Sequence, residues 1–452
     1  MAKTKTVFVC QNCAYKSPKW IGKCPSCNSW NSFVEELETQ EKASLKKTAK
    51  ISPGSIKKLE NISQKQNGRL TAPFSELNRV LGGGIVQGSL VLLGGEPGIG
   101  KSTLVLQTAL KLTNTTVLYV SGEESPEQIK MRADRICKPE SNIYILSEIN
   151  IHKILDGICE AKPDLVIIDS IQTIFDEDLS SSPGTVSQVR ACTQIFQEYA
   201  KKNQLSFLLI GHINKDGNIA GPMALEHIVD VVIQFEGDNN NYFRLLRAKK
   251  NRYGSTAEIG VFEMTNTGLN EIPDPGMLLL PDDITDMSGI AIAAMNEGAR
   301  TLMLEIQALA TTSVYSAPQR TATGFDIRRL HMLLAVVEKR LGIRLGQKDV
   351  FLNIAGGIKV NDTGVDLAVI AALLSSVFDK VIHRNTCLMG EVSLSGQIRP
   401  VPNIDQRLLE VKRMGFNKVF ISKFQKTSIK NEKDFNILKI EKVNNLSPLL
   451  FD

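Results

Sequence analysis

At 452 residues the chain exceeds one typical domain, and about three are expected. With 42% hydrophobic and 22% charged residues it has the composition of a soluble globular protein. No stretch approaches the roughly 18 unbroken apolar residues that a membrane helix requires. Residues 1–10 carry lysines but no apolar core or cleavage site, which excludes a secretory signal and makes the cytoplasm the expected compartment. The net charge of +5 is uneven: residues 1–70 hold 13 Lys and Arg against 5 Asp and Glu, so the remainder is acidic. A basic end suits a polyanionic partner, although a solvated surface has the same composition.

The amino-terminal segment, residues 1–34, is organised by Cys10-x2-Cys13 and Cys24-x2-Cys27. Two such knuckles bring four thiolates into a tetrahedron around Zn2+, and the metal then supplies folding energy that so small a unit lacks. Two disulfides or a dithiol redox site are the other readings of this spacing. Trp20 and Trp30, the only tryptophans, flank the second knuckle and are expected to pack over it. Cys137, Cys159, Cys192 and Cys387 stand singly in apolar or helical stretches and read as buried thiols. Residues 35–68 are polar, with Lys46, Lys47, Lys50, Lys57, Lys58 and the breaker pair Pro53-Gly54, and read as a basic, flexible or partly helical linker.

Residues 69–275 alternate apolar strand-like runs (90–93, 117–120, 165–168, 207–210) with helical stretches, the pattern of a parallel α/β sheet. Residues 229–235 and 242–247 read as an antiparallel hairpin at the end of that sheet. Between the first strand and the next helix stands Gly95-Glu96-Pro97-Gly98-Ile99-Gly100-Lys101-Ser102, followed by Thr103. It satisfies G-x-x-x-x-G-K-[ST]: the glycines let backbone N–H groups converge on the phosphates of ATP, and the helix aims its positive end there. Lys101 is expected on the β- and γ-phosphates and the Ser102 hydroxyl on Mg2+. Asp169, at the end of the third apolar run, is the expected second Mg2+ anchor. A water attacking the γ-phosphate needs a general base, and Glu123 and Glu124 lie just past a strand, where nucleotides bind in open α/β sheets. Glu123 is favoured, with Glu124 a close rival.

The run Gly82-Gly83-Gly84, the phosphate loop, Tyr119-Val-Ser-Gly-Glu-Glu and residues 165–170 together resemble the RecA-type ATPase core. With the knuckle, Lys250-Asn-Arg-Tyr-Gly254 and the carboxyl-terminal segment added, nearly the whole chain resembles the RadA (Sms) family of bacterial DNA-repair proteins. Tyr253 stands where that family usually has Phe. The resemblance implies a hexameric ring, motor activity on single-stranded and branched DNA, and cooperation with a RecA recombinase. In such rings nucleotide sits between subunits, so a neighbour's cation can neutralise charge developing on the γ-phosphate. Lys250 and Arg252, with Lys249, are the candidates; contact with DNA is their other role. His212 and Asn214 are candidates to sense the γ-phosphate, and Lys215 to touch a DNA backbone.

Residues 276–452 resemble the Lon protease domain, an α+β fold, most clearly at residues 390–400. Lon-type proteolysis needs a serine nucleophile and a lysine. Aligned on Asp362-Thr-Gly-Val-Asp366, these positions fall on Val365 and Asp405, so peptidase activity is expected to be absent. Eight basic and three acidic residues between Arg300 and Lys348 suggest a face for duplex backbone. The expected architecture is therefore a zinc knuckle, a linker, a RecA-like P-loop core and an inactive Lon-like domain. An ATP-dependent DNA motor is the leading function. An ATP-dependent peptidase and a nucleotide-driven assembly ring are the alternatives.

Overall fold

A computed structural model describes residues 4–13, 15–39, 68–138, 142–212, 225–237, 243–273, 280, 287–313, 317–355 and 359–451. These fall into two compact units that divide between Ile272 and Pro273. Among the described residues, no helix is long and apolar enough to cross a membrane.

The knuckle is a three-stranded antiparallel sheet in which β1 (Thr4–Cys10) lies between β2 (Lys16–Ser17) and β3 (Phe33–Thr39). The register pairs Cys10 with Phe33 and Thr4 with Thr39, so strand structure runs into the stretch whose polar composition suggested a linker. Cys10, Cys24 and Phe33 form its small core, with Phe8 and Ile21 packed against them. The four Sγ atoms lie within 4.8 Å of one another, with Cys10–Cys27 at 3.7 Å and Cys13–Cys24 at 3.5 Å. A tetrahedron with Zn–S bonds of about 2.3 Å has edges near 3.8 Å, so the donor set fits zinc. Trp20 and Trp30 do not cover this core: they are 54% and 71% exposed, because Phe33 and Ile21 already fill the space over the thiolates.

The ATPase core begins with β4 (Arg69–Leu70), α1 (Ser75–Leu81) and β5 (Ile85–Val86). The main elements follow as β6 (Leu90–Gly95), α2 (Lys101–Lys111), β7 (Thr116–Ser121), α3 (Pro126–Ile136), β8 (Asn142–Ser147), α4 (Ile151–Ala161) and β9 (Leu165–Asp169). Next come α5 (Val186–Asn203), β10 (Ser206–His212), β11 (Val231–Gly237), β12 (Phe243–Asn251), β13 (Ile259–Thr265) and β14 (Gly268–Glu271). The strand order is β14-β13-β12-β11-β6-β10-β9-β7-β8, parallel from β11 to β8 and antiparallel beyond β11. The predicted hairpin is thus β11–β12, but it does not end the sheet, since β13 and β14 continue it. Both faces are covered. Val91 and Leu93 of β6 join one apolar cluster with α1 and α2, while Leu90 and Leu92 join a second with α4 and α5. This period-2 split is why the strand reads as an unbroken apolar run.

The second unit holds β15 (Ile290–Glu297), β16 (Arg300–Thr312), β17 (Arg320–Thr323), α6 (Ile327–Val336), β18 (Lys348–Ile354), α7 (Asp366–Phe378) and β19 (Thr386–Leu388). A two-stranded ribbon of β20 (Glu391–Val392) and β21 (Ile398–Arg399) precedes α8 (Ile404–Arg413), β22 (Lys418–Ser422) and β23 (Asn436–Ile440). Its mixed sheet has the order β17-β18-β16-β15-β19-β22-β23. Of the scattered cysteines, Cys192 and Cys387 are buried, and burial pushes both thiols up to about 12. Cys159 is exposed, contrary to expectation, because α4 turns it outward towards the Tyr199 hydroxyl at 3.4 Å.

Removing zinc, or the Cys24→Ser substitution, is expected to unfold the knuckle while nucleotide binding stays within about twofold of wild type. The tryptophans are already exposed, so the measurement is hydrogen exchange: protection should vanish from β1 and β3 and persist in β6. Retained protection in a sample shown to be metal-free would refute a zinc-dependent fold.

Candidate nucleotide site

Parallel strands end on one side of a sheet, and the registers of β6, β7, β9 and β10 gather the sequence-predicted groups there. His212 pairs with Gly95, and Ser121 with Asp169. Gly100 precedes α2 with φ +110°, a conformation L side chains rarely adopt, and lets the chain turn so that the first helical N–H groups face the cradle. Lys101 is 4% exposed, and its ammonium donates to the carbonyls of Gly95 and Glu96, each at 2.9 Å. Burial pulls Lys101 down to about 8, against the opposing charges of Asp169, Glu123 and Glu96. These carboxylates therefore share the electrostatic field of the lysine.

Asp169 is buried and accepts a 2.5 Å hydrogen bond from the Tyr119 hydroxyl on β7. Burial, and then the Asp169 charge, hold the Tyr119 phenol well above its usual range, so it acts as a donor. The two candidate bases part company at the end of β7. The Glu123 carboxylate accepts from the Ser170 hydroxyl at 2.8 Å, beside Asp169, whereas Glu124 forms an ion pair with Arg132 of α3. Arg244 of β12 reaches beneath the loop and donates from Nε to the Ile99 carbonyl at 3.0 Å. Sequence reasoning counted Tyr119 and Ser170 in the runs that carry the resemblance but gave neither a role, and it missed Arg244 as a part of this site.

Lys250 and Arg252 do not join this cluster. Lys250 pairs across β11 with Val232, which pairs with Leu92, so the basic residues lie towards the start of β6. There Asp230, 2% exposed, ties the parts together. Its carboxylate accepts from the Leu90 N–H at 3.1 Å and from Arg252 Nη1 at 3.0 Å. The Lys250 ammonium donates to the Val229 carbonyl at 2.8 Å and to that of Glu226, while Lys249 sits 3.8 Å from Glu236. The motif's glycine, Gly254, packs on the glycine turn at the end of α1: a Cβ on it would stand 2.9 Å from Gly82 Cα. His212 closes β10, and Asn214 and Lys215 lie outside the described residues. A cavity of about 640 Å3 opens at this same amino end, lined by Arg69, Lys162, Asp164, Tyr199 and Gln204, and includes none of the phosphate-loop residues.

In the second unit, Val365 is buried just before α7 and offers no nucleophile. Asp405 accepts 2.5 Å hydrogen bonds from the hydroxyls of Ser428 and Thr427, and these hold its carboxyl below the usual carboxylate range. Two internal ion pairs stand nearby: Arg407 with Asp362 at 2.7 Å, and Arg329 with the buried Asp366. The basic count between Arg300 and Lys348 therefore overstates the surface charge, since Arg300 is buried and Arg329 is turned inward.

Comparison with known proteins agrees with this architecture. Residues 8–35 match the rubredoxin metal binding domain model, residues 57–218 the AAA domain model, and residues 295–425 the model for subunit ChlI of Mg-chelatase. The DNA repair protein RadA of Listeria monocytogenes serovar 1/2a is 44% identical over 444 residues, covering 98% of this chain and 97% of the relative. That of Bacillus subtilis strain 168 is 44% identical, covering 93% of each chain, and that of Streptococcus pyogenes serotype M1 is 45% identical, covering 94% of each. Among solved structures, a KaiC-like protein of Pyrococcus horikoshii OT3 covers 46% of this chain and 99% of its own, at 19% identity and a TM-score of 0.39. Likeness at this level along almost the entire length means that the chain belongs to the DNA repair protein RadA family, with a four-cysteine zinc knuckle, a P-loop ATPase core and a Lon-like third domain.

Proposed function

We propose that this protein is a cytoplasmic ATP-driven DNA motor that acts as a hexameric ring on single-stranded and branched DNA, promoting branch migration alongside a RecA recombinase. The observation that carries this reading is the division of charge between two edges of one sheet. Phosphate-binding and acidic groups gather at the carboxyl edge, whereas towards the amino edge Arg252 is anchored by Asp230 and Lys250 by the Val229 and Glu226 carbonyls. Half of the six-residue β6 for Lys250, and nearly all of it for Arg252, separates them from the phosphate loop, roughly 10–16 Å along the strand, and both are tied in the opposite direction, away from their own P-loop. A neighbouring subunit's nucleotide, or DNA, is the target this geometry favours.

In this mechanism the glycine-rich loop and α2 cradle the phosphates, and Lys101 exchanges its two loop carbonyls for the β- and γ-phosphate oxygens. Ser102 and Asp169, the latter steadied by Tyr119, are the residues suited to hold Mg2+, which supplies neutralisation of phosphate charge. Glu123, oriented by Ser170, accepts the proton of the attacking water. Glu124 is occupied by Arg132. Lys250 and Arg252 act across the subunit boundary. The third domain serves as a scaffold, since neither Val365 nor Asp405 supplies the chemistry of a peptidase. ATP turnover measured with and without single-stranded DNA, together with a branched-DNA extension assay, tests the whole reading. Turnover indifferent to DNA would reject it in favour of an assembly ring.

Lys101→Ala is expected to leave a folded protein whose hydrolysis falls at least about a hundredfold. Glu123→Gln should still bind ATP and lose at least about a hundredfold in turnover, as general-base loss implies. Glu124→Gln should stay within about threefold, and the reverse pattern would transfer the base role to Glu124.

Lys250→Ala should spare ATP binding but slow turnover, and mixing it with Lys101→Ala subunits should restore part of the rate. In such mixed rings an intact P-loop can face an intact cation. Mixtures proven to contain both subunits that stay silent would leave Lys250 as a DNA contact, with its defect seen in salt-sensitive binding.

A further inference from the structure

The two tryptophans of the knuckle have no role in the site described above, and their placement is unusual. Indole is a large apolar group that normally buries most of its surface, yet both are more than half exposed. They are also neighbours. A Cβ placed on Gly22 would stand 3.7 Å from Cη2 of Trp20 and 3.9 Å from Cζ3 of Trp30, so both six-membered rings border one stretch of bare backbone. An isolated antiparallel β-bridge pairs the backbones of Lys23 and Trp30, and the Lys23 ammonium lies over the Trp30 ring, 5.6 Å from its centroid.

Charge identifies what such a surface suits. Residues 1–34 contain Lys3, Lys5, Lys16, Lys19 and Lys23 and no Asp or Glu, the first acid being Glu35. Four thiolates around zinc carry a formal charge of −2. The folded knuckle runs on to Thr39 and so also holds Glu35, Glu36 and Glu38, which with the zinc site offset the five lysines; the positive charge is local, with Lys19 and Lys23 exposed and the Lys23 ammonium over the Trp30 ring. Exposed indoles with ammonium groups close by, Lys23 lying over the Trp30 ring, match a chain of bases linked by phosphates: bases stack on the indoles, and the lysines take the phosphates. Bases in a duplex are already covered on both faces, so the match is to a single strand.

We propose that Trp20 and Trp30, with Lys19 and Lys23, form a base-stacking surface for single-stranded DNA on the zinc knuckle. This rests on the DNA reading above and adds a contact that the ATPase core does not provide.

Because these are the only two tryptophans, intrinsic emission of the full-length protein reports on this surface alone. The probes are a twenty-nucleotide oligothymidine and an abasic strand of equal length and charge, with binding followed separately by the anisotropy of a dye on each strand. Oligothymidine should quench the emission saturably, with the same midpoint as the anisotropy. The abasic strand should bind at least about fivefold more weakly and leave the emission unchanged. Trp20→Ala and Trp30→Ala, each checked for one zinc per chain, should weaken oligothymidine binding roughly fivefold or more, and the Phe variants should recover part of it. If the Ala variants lose zinc, the wild-type titration and the Phe variants decide. Oligothymidine binding without quenching, or equal quenching by the abasic strand, would overturn the stacking surface and leave the DNA reading intact. No binding of oligothymidine by anisotropy would overturn both.

Discussion

The hydrogen-bonded ladder that joins β7, β9, β10 and β6 in parallel is the constraint from which the rest of the ATPase core follows. Its registers set Ser121 beside Asp169 and His212 beside Gly95. The loops that leave these ends therefore share one edge, whatever their sequences. Because helices cover both faces, a slip of one residue would exchange the two apolar sets of β6 and misplace every loop at once. The same ladder sends the basic residues away from the P-loop. β11 runs parallel to β6, so the returning β12 brings Lys250 back towards the level at which β6 starts. Asp230 makes that end rigid, since its backbone N–H donates to the Leu90 carbonyl at 3.0 Å while its carboxylate holds Arg252.

What was legible in the sequence was what is contiguous in it. The phosphate loop, Asp169 and the knuckle cysteines each carry their chemistry within a few residues, so local spacing announces them, whereas the Lys250–Gly254 run stood out only through the family resemblance. The contacts that position them were not legible, because they join distant parts of the chain. Tyr119 meets Asp169 fifty positions on, and Arg244 meets Ile99 across 145. Burial was the other blind spot. Whether a tryptophan or a cysteine is covered depends on neighbours that no local pattern names. Hence Trp20, Trp30 and Cys159 turned out exposed, and Arg300 and Arg329 left the surface on which simple counting had placed them.

The third domain shows how thoroughly a charged site can be closed. Arg407, 1% exposed, is held by Asp362 and by the carbonyls of Ala294 and Pro402, and Arg329 is held by Asp366. Removing one member of a buried pair strands the other charge in a low-dielectric interior, at a cost of about 3–5 kcal/mol. Single substitutions in these pairs are therefore costly, and the pairs tie α6 to α7 and α8 to the turn that precedes α7.

At the nucleotide site the opposite principle holds, because its charged groups rest on partners that can be exchanged. Lys101 leans on two loop carbonyls, and Glu123 on the Ser170 hydroxyl. Each is satisfied, so neither destabilises the fold, yet each contact is a neutral-partner hydrogen bond worth about 1 kcal/mol net, or a little more for a charged group. Phosphate oxygens outcompete carbonyls for an ammonium because the new bond is charge-assisted on both sides. The partial loss of Lys101 basicity works in the same direction: burial without a full counter-charge keeps the cation short of compensation, which a phosphate would supply. Glu124 is held by the cation Arg132, and releasing it would leave a charge behind.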